Sequence, residues 1–323
     1  MELIKPRRLY AGDTIATVSI SHGWAGDESS RWKYELSKKR LEELYGLNVL
    51  PAPNSMRGSE FLSQNPQARA EDVMWAFDNK AVSAIIANVG GNDSIKLLPY
   101  IDSATIANNP KIFIGMSDVL NVNLLCYKAG LSTFYGCNLF TIGEAQGFHP
   151  YSEKWFRKTL FDAELIGNIE PFKQPNAGYD LIQGEGVVQG RLIGGHTGIM
   201  EVENEPIALS VTDFDGSILF VEDIPQFFSP SKLEEFLMWL GGKGFLQKLN
   251  GIIIGKLSEN VSFAEHGAVV RNVVGNEFGL KTLPVLYGLN FGHTSPIFAI
   301  PYGAKAEINC DLQTFAILEA GVA

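Results

Sequence analysis

Cysteine is scarce in this 323-residue chain: Cys126, Cys137 and Cys310 are scattered, with no CxxC pair. An odd, dispersed set argues against a disulfide framework and fits a reducing compartment, each thiol packing as a small apolar group. Long apolar runs are missing too. The opening MELIKPRRLYAGDTIATVSIS is broken by charges, which rules out a signal-peptide core. No stretch approaches the ~18 apolar residues of a membrane span. Dense basic runs are absent, and 26 Lys and Arg face 36 Asp and Glu, a formal net charge of -10. Nucleic acid and anionic membranes are therefore poor partners. The expectation is a cytoplasmic protein.

Cofactor and metal motifs are also lacking. No HExxH occurs, and none of the five histidines pair at helical ligand spacing, so no metal is expected. SISHGWAG stands where a dinucleotide fingerprint would follow the first strand, and no P-loop spacing exists. No cofactor is expected, which counts against a dehydrogenase.

What is present is apolar and patterned. Hydrophobic residues make up 46% of the chain, enough for a sizeable core. In the first half, strand-like Thr14–Ser21, Leu47–Ala52, Val82–Val89 and Lys111–Gly115 alternate with helix-like Ser29–Tyr45, Gln67–Asn79 and Val119–Lys128. Strand–helix alternation implies right-handed crossovers and a mostly parallel, doubly wound sheet. Ser132–Tyr135 is short and β-prone, and Tyr151–Phe161 is helix-like. Asn168–Asp180 is rich in Pro, Asn and Gly, the composition of a linker. Beyond it, strands at Gly186–Ile193, Ser217–Val221, Gly251–Gly255 and Ala306–Ile308, with helices at Ser231–Leu240 and Ala264–Phe278, predict a second α/β domain with a mixed sheet. The expected division is 1–167, a linker over 168–183, and 184–323.

Four segments carry candidate chemistry. In KIFIGMSDVLNVN a strand ends at Gly115 and Ser117 opens a helix, where a turn would expose the hydroxyl and helix N–H groups would stabilise an oxyanion. The same serine could simply cap the helix. In VGGNDSIKLLPYID, Gly90 and Gly91 follow a buried strand at the sheet's carboxyl end. There they serve either as oxyanion donors or as an ordinary tight turn. SILFVEDIPQ delivers Glu222 and Asp223 on opposite faces at a strand end, to orient a histidine or to meet solvent. In LNFGHTSPIF, His293 sits in a loop after a strand, suited to a general base. His22 and His196 adjoin glycines and are pocket candidates; His149 and His266 read as surface or loop positions.

In order along nearly the whole chain, these segments resemble the LD-carboxypeptidase serine peptidases, which include the microcin C immunity peptidases. The carriers are KPRRLYAGDTIATVS, the GG turn before SIKLLPYID, GMSD, KAGLSTFYG, GRLIGG, ILFVED, LNGIIIG and GLNFGHTSPIFAIPYGAKAEI. The resemblance implies a flavodoxin-like N-terminal domain and a C-terminal domain built on a swivelling mixed β-sheet. It implies a triad of Ser117, Glu222 and His293, divided between the two domains. The backbone N–H groups of Gly90–Gly91 and Asp118 would form the oxyanion hole. It also implies a homodimer acting on a small peptide-like substrate. KAGLSTFYG, KTLFDAELIGNIEP and GHTSP resemble the immunity branch, which cleaves the amide joining a terminal acidic residue to a nucleotide mimic. ILFVEDI resembles the branch that removes terminal D-alanine from muropeptides. A non-catalytic small-ligand-binding protein is the alternative of another class.

Overall fold

The computed structural model describes residues 2–172, 178–201, 206–256 and 263–323. Residues 173–177 of the expected linker lie outside them. The described strands of the first half are β1 (Thr14–Val18), β2 (Asn48–Pro51), β3 (Val82–Ala87), β4 (Ile112–Gly115) and β5 (Phe134–Tyr135). The later ones are β6 (Gly167–Asn168), β7 (Asp180–Gln183), β8 (Val187–His196), β9 (Ile218–Glu222) and β10 (Gly251–Gly255). The last are β11 (Val285–Leu289), β12 (Ile300–Pro301), β13 (Lys305–Asn309) and β14 (Thr314–Ile317). The chain divides into two compact units. The first runs to Ala163 and takes in Phe298–Pro301 and Gly321–Ala323; the second holds Glu164–Ile297 and Tyr302–Ala320.

The first unit is built on a six-stranded sheet ordered β12-β5-β4-β3-β1-β2. β2, β1, β3, β4 and β5 run parallel, and β12 closes the β5 edge antiparallel. The order 2-1-3-4-5 is the flavodoxin-like one, whose switch point lies between β1 and β3. Ile85, Ile86, Ala87, Ile112 and Phe113 are fully buried, as strands covered by helices on both faces require. The helix Arg31–Tyr45 buries Tyr34, Ser37, Leu41 and Tyr45, one stripe at helical spacing. It stops at Gly46, whose left-handed backbone (φ 65°) lets its N–H cap the last turn. The chain therefore turns back at a fixed point to make β2.

The second unit holds an eight-stranded sheet ordered β6-β14-β13-β8-β9-β10-β11-β7. Its centre, β8 to β11, is parallel, and β7, β13, β14 and β6 add antiparallel flanks. The mixed sheet agrees with the expected fold class. Parallel neighbours bring strand ends together, and the β8–β9 register sets His196 directly beside Glu222. Short strands at Gly167–Asn168 and Asp180–Gln183 bracket the segment Asn168–Asp180 whose composition reads as linker.

Candidate active site

In the first unit three strand ends converge near the switch point. Ser19 and Ser21 follow β1, Gly90 and Gly91 follow β3, and Ser117 follows β4. Ser117 has φ 67°, a left-handed conformation that a residue with a side chain seldom adopts. Such backbone is retained only where its surroundings over-determine it. Here they do. Tyr135 Oη accepts from Ser117 N–H at 3.1 Å, and Asn138 Oδ1 accepts from Met116 N–H at 3.1 Å. The turn Ser117–Val119 then leads into the helix Leu120–Lys128, so the serine stands at the helix's positive end.

Gly90 lies against this turn. A Cβ there would come within 2.9 Å of Ser117 Cβ, so only glycine lets the two backbones approach. At Gly91 a Cβ would strike Ser21 Oγ. Among the described residues, no acceptor meets the N–H of Gly91 or of Asp118. Backbone N–H groups without an acceptor are the kind of donor that stabilises an oxyanion. His22 N–H donates to Gly90 O at 3.2 Å, and the His22 ring stacks on Trp24 with centroids 4.8 Å apart.

The second unit brings Glu222 and His293 together. Glu222, 1% exposed at the end of β9, accepts on Oε2 from the His293 backbone N–H at 2.9 Å and from Nδ1 at 2.7 Å. Nδ1–H donating to the carboxylate leaves the lone pair on Nε2, the tautomer of a general base. Gly292 (φ 82°) permits this, since a Cβ there would collide with the Glu222 carboxylate. Burial opposes protonation of His293. The hydrogen bond and charge of Glu222, with a smaller contribution from Asp223, outweigh it and raise the pKa above the ordinary 6.5.

The neighbouring carboxylate has other partners. Asp223 accepts from Thr197 Oγ1 and from Ile224 N–H at 2.7 Å, and its Oδ1 lies 3.2 Å from His196 Nε2. Alternation along the strand thus splits the pair, Glu222 to His293 and Asp223 to His196. His196 presents its ring edge-on to His293, with centroids 5.5 Å apart, and its buried Nδ1 has no partner among the described residues. The sequence marks His196, beside two glycines, as a pocket candidate, and the β8–β9 register carries it to the Glu222–His293 pair.

The other histidines are structural. His149 caps the helix Pro150–Leu160 through Nδ1, which accepts from Tyr151 N–H at 3.1 Å. His266, expected at the surface or in a loop, is instead fully buried in the helix Phe263–Val270, bonded to Tyr287 Oη and Phe228 O. Burial holds its pKa below the usual value, which keeps it neutral. Among the described residues no group of three or more His, Cys, Asp or Glu could hold a metal ion. None of their helices is long and apolar enough to cross a membrane.

Known proteins share this arrangement of two halves. The LD-carboxypeptidase N-terminal domain matches residues 15–136, and the LD-carboxypeptidase C-terminal domain matches residues 189–308. The probable murein peptide carboxypeptidase of Bacillus subtilis is 27% identical over 98% of this chain and 95% of its own. The Microcin C7 self-immunity protein MccF of Escherichia coli is 31% identical over 78% of each chain. The structure also superposes on an MccF-like protein from Streptococcus pneumoniae in complex with AMP. That match has a TM-score of 0.83 and 25% identity, covering 95% of this chain and 98% of the other. With both halves matched in order, this chain belongs to the LD-carboxypeptidase family of peptidases.

Proposed function

We propose that the protein is a serine peptidase hydrolysing an amide bond at the C-terminal end of a small peptide-like substrate, with Ser117 as nucleophile, His293 as general base and Glu222 as the carboxylate that orients it. The observation that carries this reading is the left-handed Ser117 at the end of β4, packed against Gly90 and next to the N–H groups of Gly91 and Asp118, which no acceptor meets among the described residues.

In this mechanism His293 Nε2 takes the Ser117 proton as Oγ attacks the amide carbonyl. Glu222 holds the ring and stabilises the imidazolium, as the raised His293 pKa favours. Backbone N–H groups of Gly90–Gly91 and Asp118 receive the oxyanion, and losing one such donor costs about 3 kcal/mol of transition-state stabilisation. His293 then protonates the leaving amine, and water resolves the acyl-enzyme. Every proton has a carrier among these residues, so the scheme needs no metal. The division of labour proposed is nucleophile in 1–167 and base in 184–323. A cytoplasmic homodimer is the proposed form, to be checked by light scattering.

We favour an aminoacyl or peptidyl nucleotide as substrate, the leaving amine belonging to the nucleotide part. The 31% identity to MccF and the AMP held by the Streptococcus pneumoniae relative support this. The Bacillus subtilis relative, a probable murein peptide carboxypeptidase, supports a second reading in which terminal D-alanine leaves a muropeptide. Purified protein assayed beside aspartyl sulfamoyl-adenosine and a muropeptide tetrapeptide separates the two. Release of the sulfamoyl nucleotide is expected, and D-alanine release alone would favour the second reading. Hydrolysis of neither, with no labelling by a serine-reactive phosphonate, would leave a binding protein.

A further inference from the structure

The side chain of Asp118 lies one residue beyond the proposed nucleophile, and the reaction scheme uses only its backbone N–H. It is 5% exposed and heavily bonded. Oδ2 accepts from Ser21 Oγ at 2.6 Å, from Asp93 N–H at 3.0 Å and from Ser94 N–H at 2.7 Å. Oδ1 accepts from Asn121 Nδ2 at 3.2 Å. The Asp118 backbone carbonyl accepts from Ser94 Oγ at 2.6 Å. One carboxylate thus ties together the segments after β1, β3 and β4.

A second bond system closes the ring. Arg69, fully buried, grips Asp93 with two N–H donors at 2.7 and 3.1 Å and reaches the carbonyls of Ile20 and Ser21, both at 3.2 Å. The path Ser21–Asp118–Asp93–Arg69–Ser21 is a closed loop. Gly90 and Gly91 lie between its anchored parts, Gly90 held by His22 N–H and Gly91 packed on Ser21.

We propose that the Asp118 carboxylate is a positioning residue that clamps the Gly90–Gly91 turn to the nucleophile turn and so fixes the oxyanion donors relative to Ser117 Oγ. The proposal rests on the reading of Ser117 as nucleophile and names what keeps that site in register. The two turns belong to different strands, and no covalent bond sets their spacing. A misplacement of about 1 Å at such a site costs on the order of 10²-fold in rate. Charge alone argues the other way, because an anion this close to a developing oxyanion is unfavourable. An electrostatic role and a clamping role therefore predict opposite signs on neutralisation.

Asp118→Asn keeps the backbone N–H and nearly the same volume. Its amide can no longer accept at both oxygens, so it meets either the Asn121 NH2 or the Ser94 and Asp93 N–H groups with a donor. We expect kcat to fall about 10²-fold with KM nearly unchanged. Hydrogen exchange should lose protection selectively across residues 89–94. Ser21→Ala, which removes one of the Oδ2 donors, should shift both readouts the same way by less, and it carries the test should Asp118→Asn not fold. Unchanged or faster turnover overturns the clamp, as does slower turnover with exchange at 89–94 unaltered. Ser117→Ala runs alongside: if it turns over substrate, the nucleophile reading fails, and the exchange measurement still reports on the clamp.

Discussion

The two halves hold their candidate catalytic groups by different means. In the first unit Ser117 is set at several points: a left-handed residue, glycine-sized gaps at 90 and 91, and a ring of hydrogen bonds through the side chains of Asp118, Asp93 and Arg69. In the second, Glu222 Oε2 receives both the backbone N–H and the Nδ1 of His293, so one carboxylate bonds that residue twice. A group held at several points loses part of its placement when one bond goes, and it yields as well to changes of shape. A group held by one carboxylate yields to loss of that carboxylate.

The sharpest way to break the contrast is at the groups themselves. Ser117→Ala should lower kcat by about 10⁴-fold or more while far-UV circular dichroism stays native. Glu222→Gln comes next, with an expected loss on the order of 10³- to 10⁴-fold in kcat and little change in KM, because the amide cannot select the imidazole tautomer. Asp223→Asn should cost far less, its carboxylate being engaged by Thr197 and His196. If Asp223→Asn proved the more damaging, the orienting role would pass to it.

Changes of shape should act at smaller magnitude. Gly90→Ala pushes a methyl to 2.9 Å from Ser117 Cβ, and Gly292→Ala pushes one into the Glu222 carboxylate. Each should lower kcat by about 10²-fold through misplacement. The first should slow labelling of the serine while leaving the acid limb of the pH profile in place. The second should move that limb.

The pH limb is the next largest effect. His293 must be neutral to act as base, and Glu222 raises its pKa, so the acid limb of kcat/KM should lie above pH 6.5 and drop in Glu222→Gln. The same shift feeds stability. A histidine whose pKa rises on folding stabilises fully below the unfolded value, and that contribution is lost as pH climbs through the folded value. Chemical denaturation of wild type and Glu222→Gln across pH 5 to 9 should show it. The smallest effect concerns strain. Ser117→Gly relieves the left-handed residue, so it should abolish turnover yet gain about 1 kcal/mol of stability.

Much of this was legible in the sequence because it is local. VSAIIANV announces a strand buried on both faces, and GMSD and VGGND put serine and glycines just past strand ends, where β3 and β4 do stop. Glu222 and Asp223 part to different partners as strand alternation requires. What stayed hidden depends on register and distance. His196 reaches the Glu222–His293 pair only because β8 pairs with β9 one residue in step. The Asp118 carboxylate gathers donors from positions 21, 93 and 94, which no local pattern connects. The helix Gly58–Gln64 and strands β6, β7 and β14 are too short for periodicity to mark. His266 reads as polar surface, yet two hydrogen bonds satisfy it inside the core.

The most direct measurement is intact-mass detection of a serine-reactive phosphonate adduct, followed by peptide mapping, on wild type, Ser117→Ala and His293→Ala. The account requires one adduct on wild type, mapped to Ser117, none on Ser117→Ala, and labelling slowed at least a hundredfold in His293→Ala, in line with the usual worth of a general base. An adduct that persists undiminished in Ser117→Ala, or forms at the wild-type rate in His293→Ala, would contradict it.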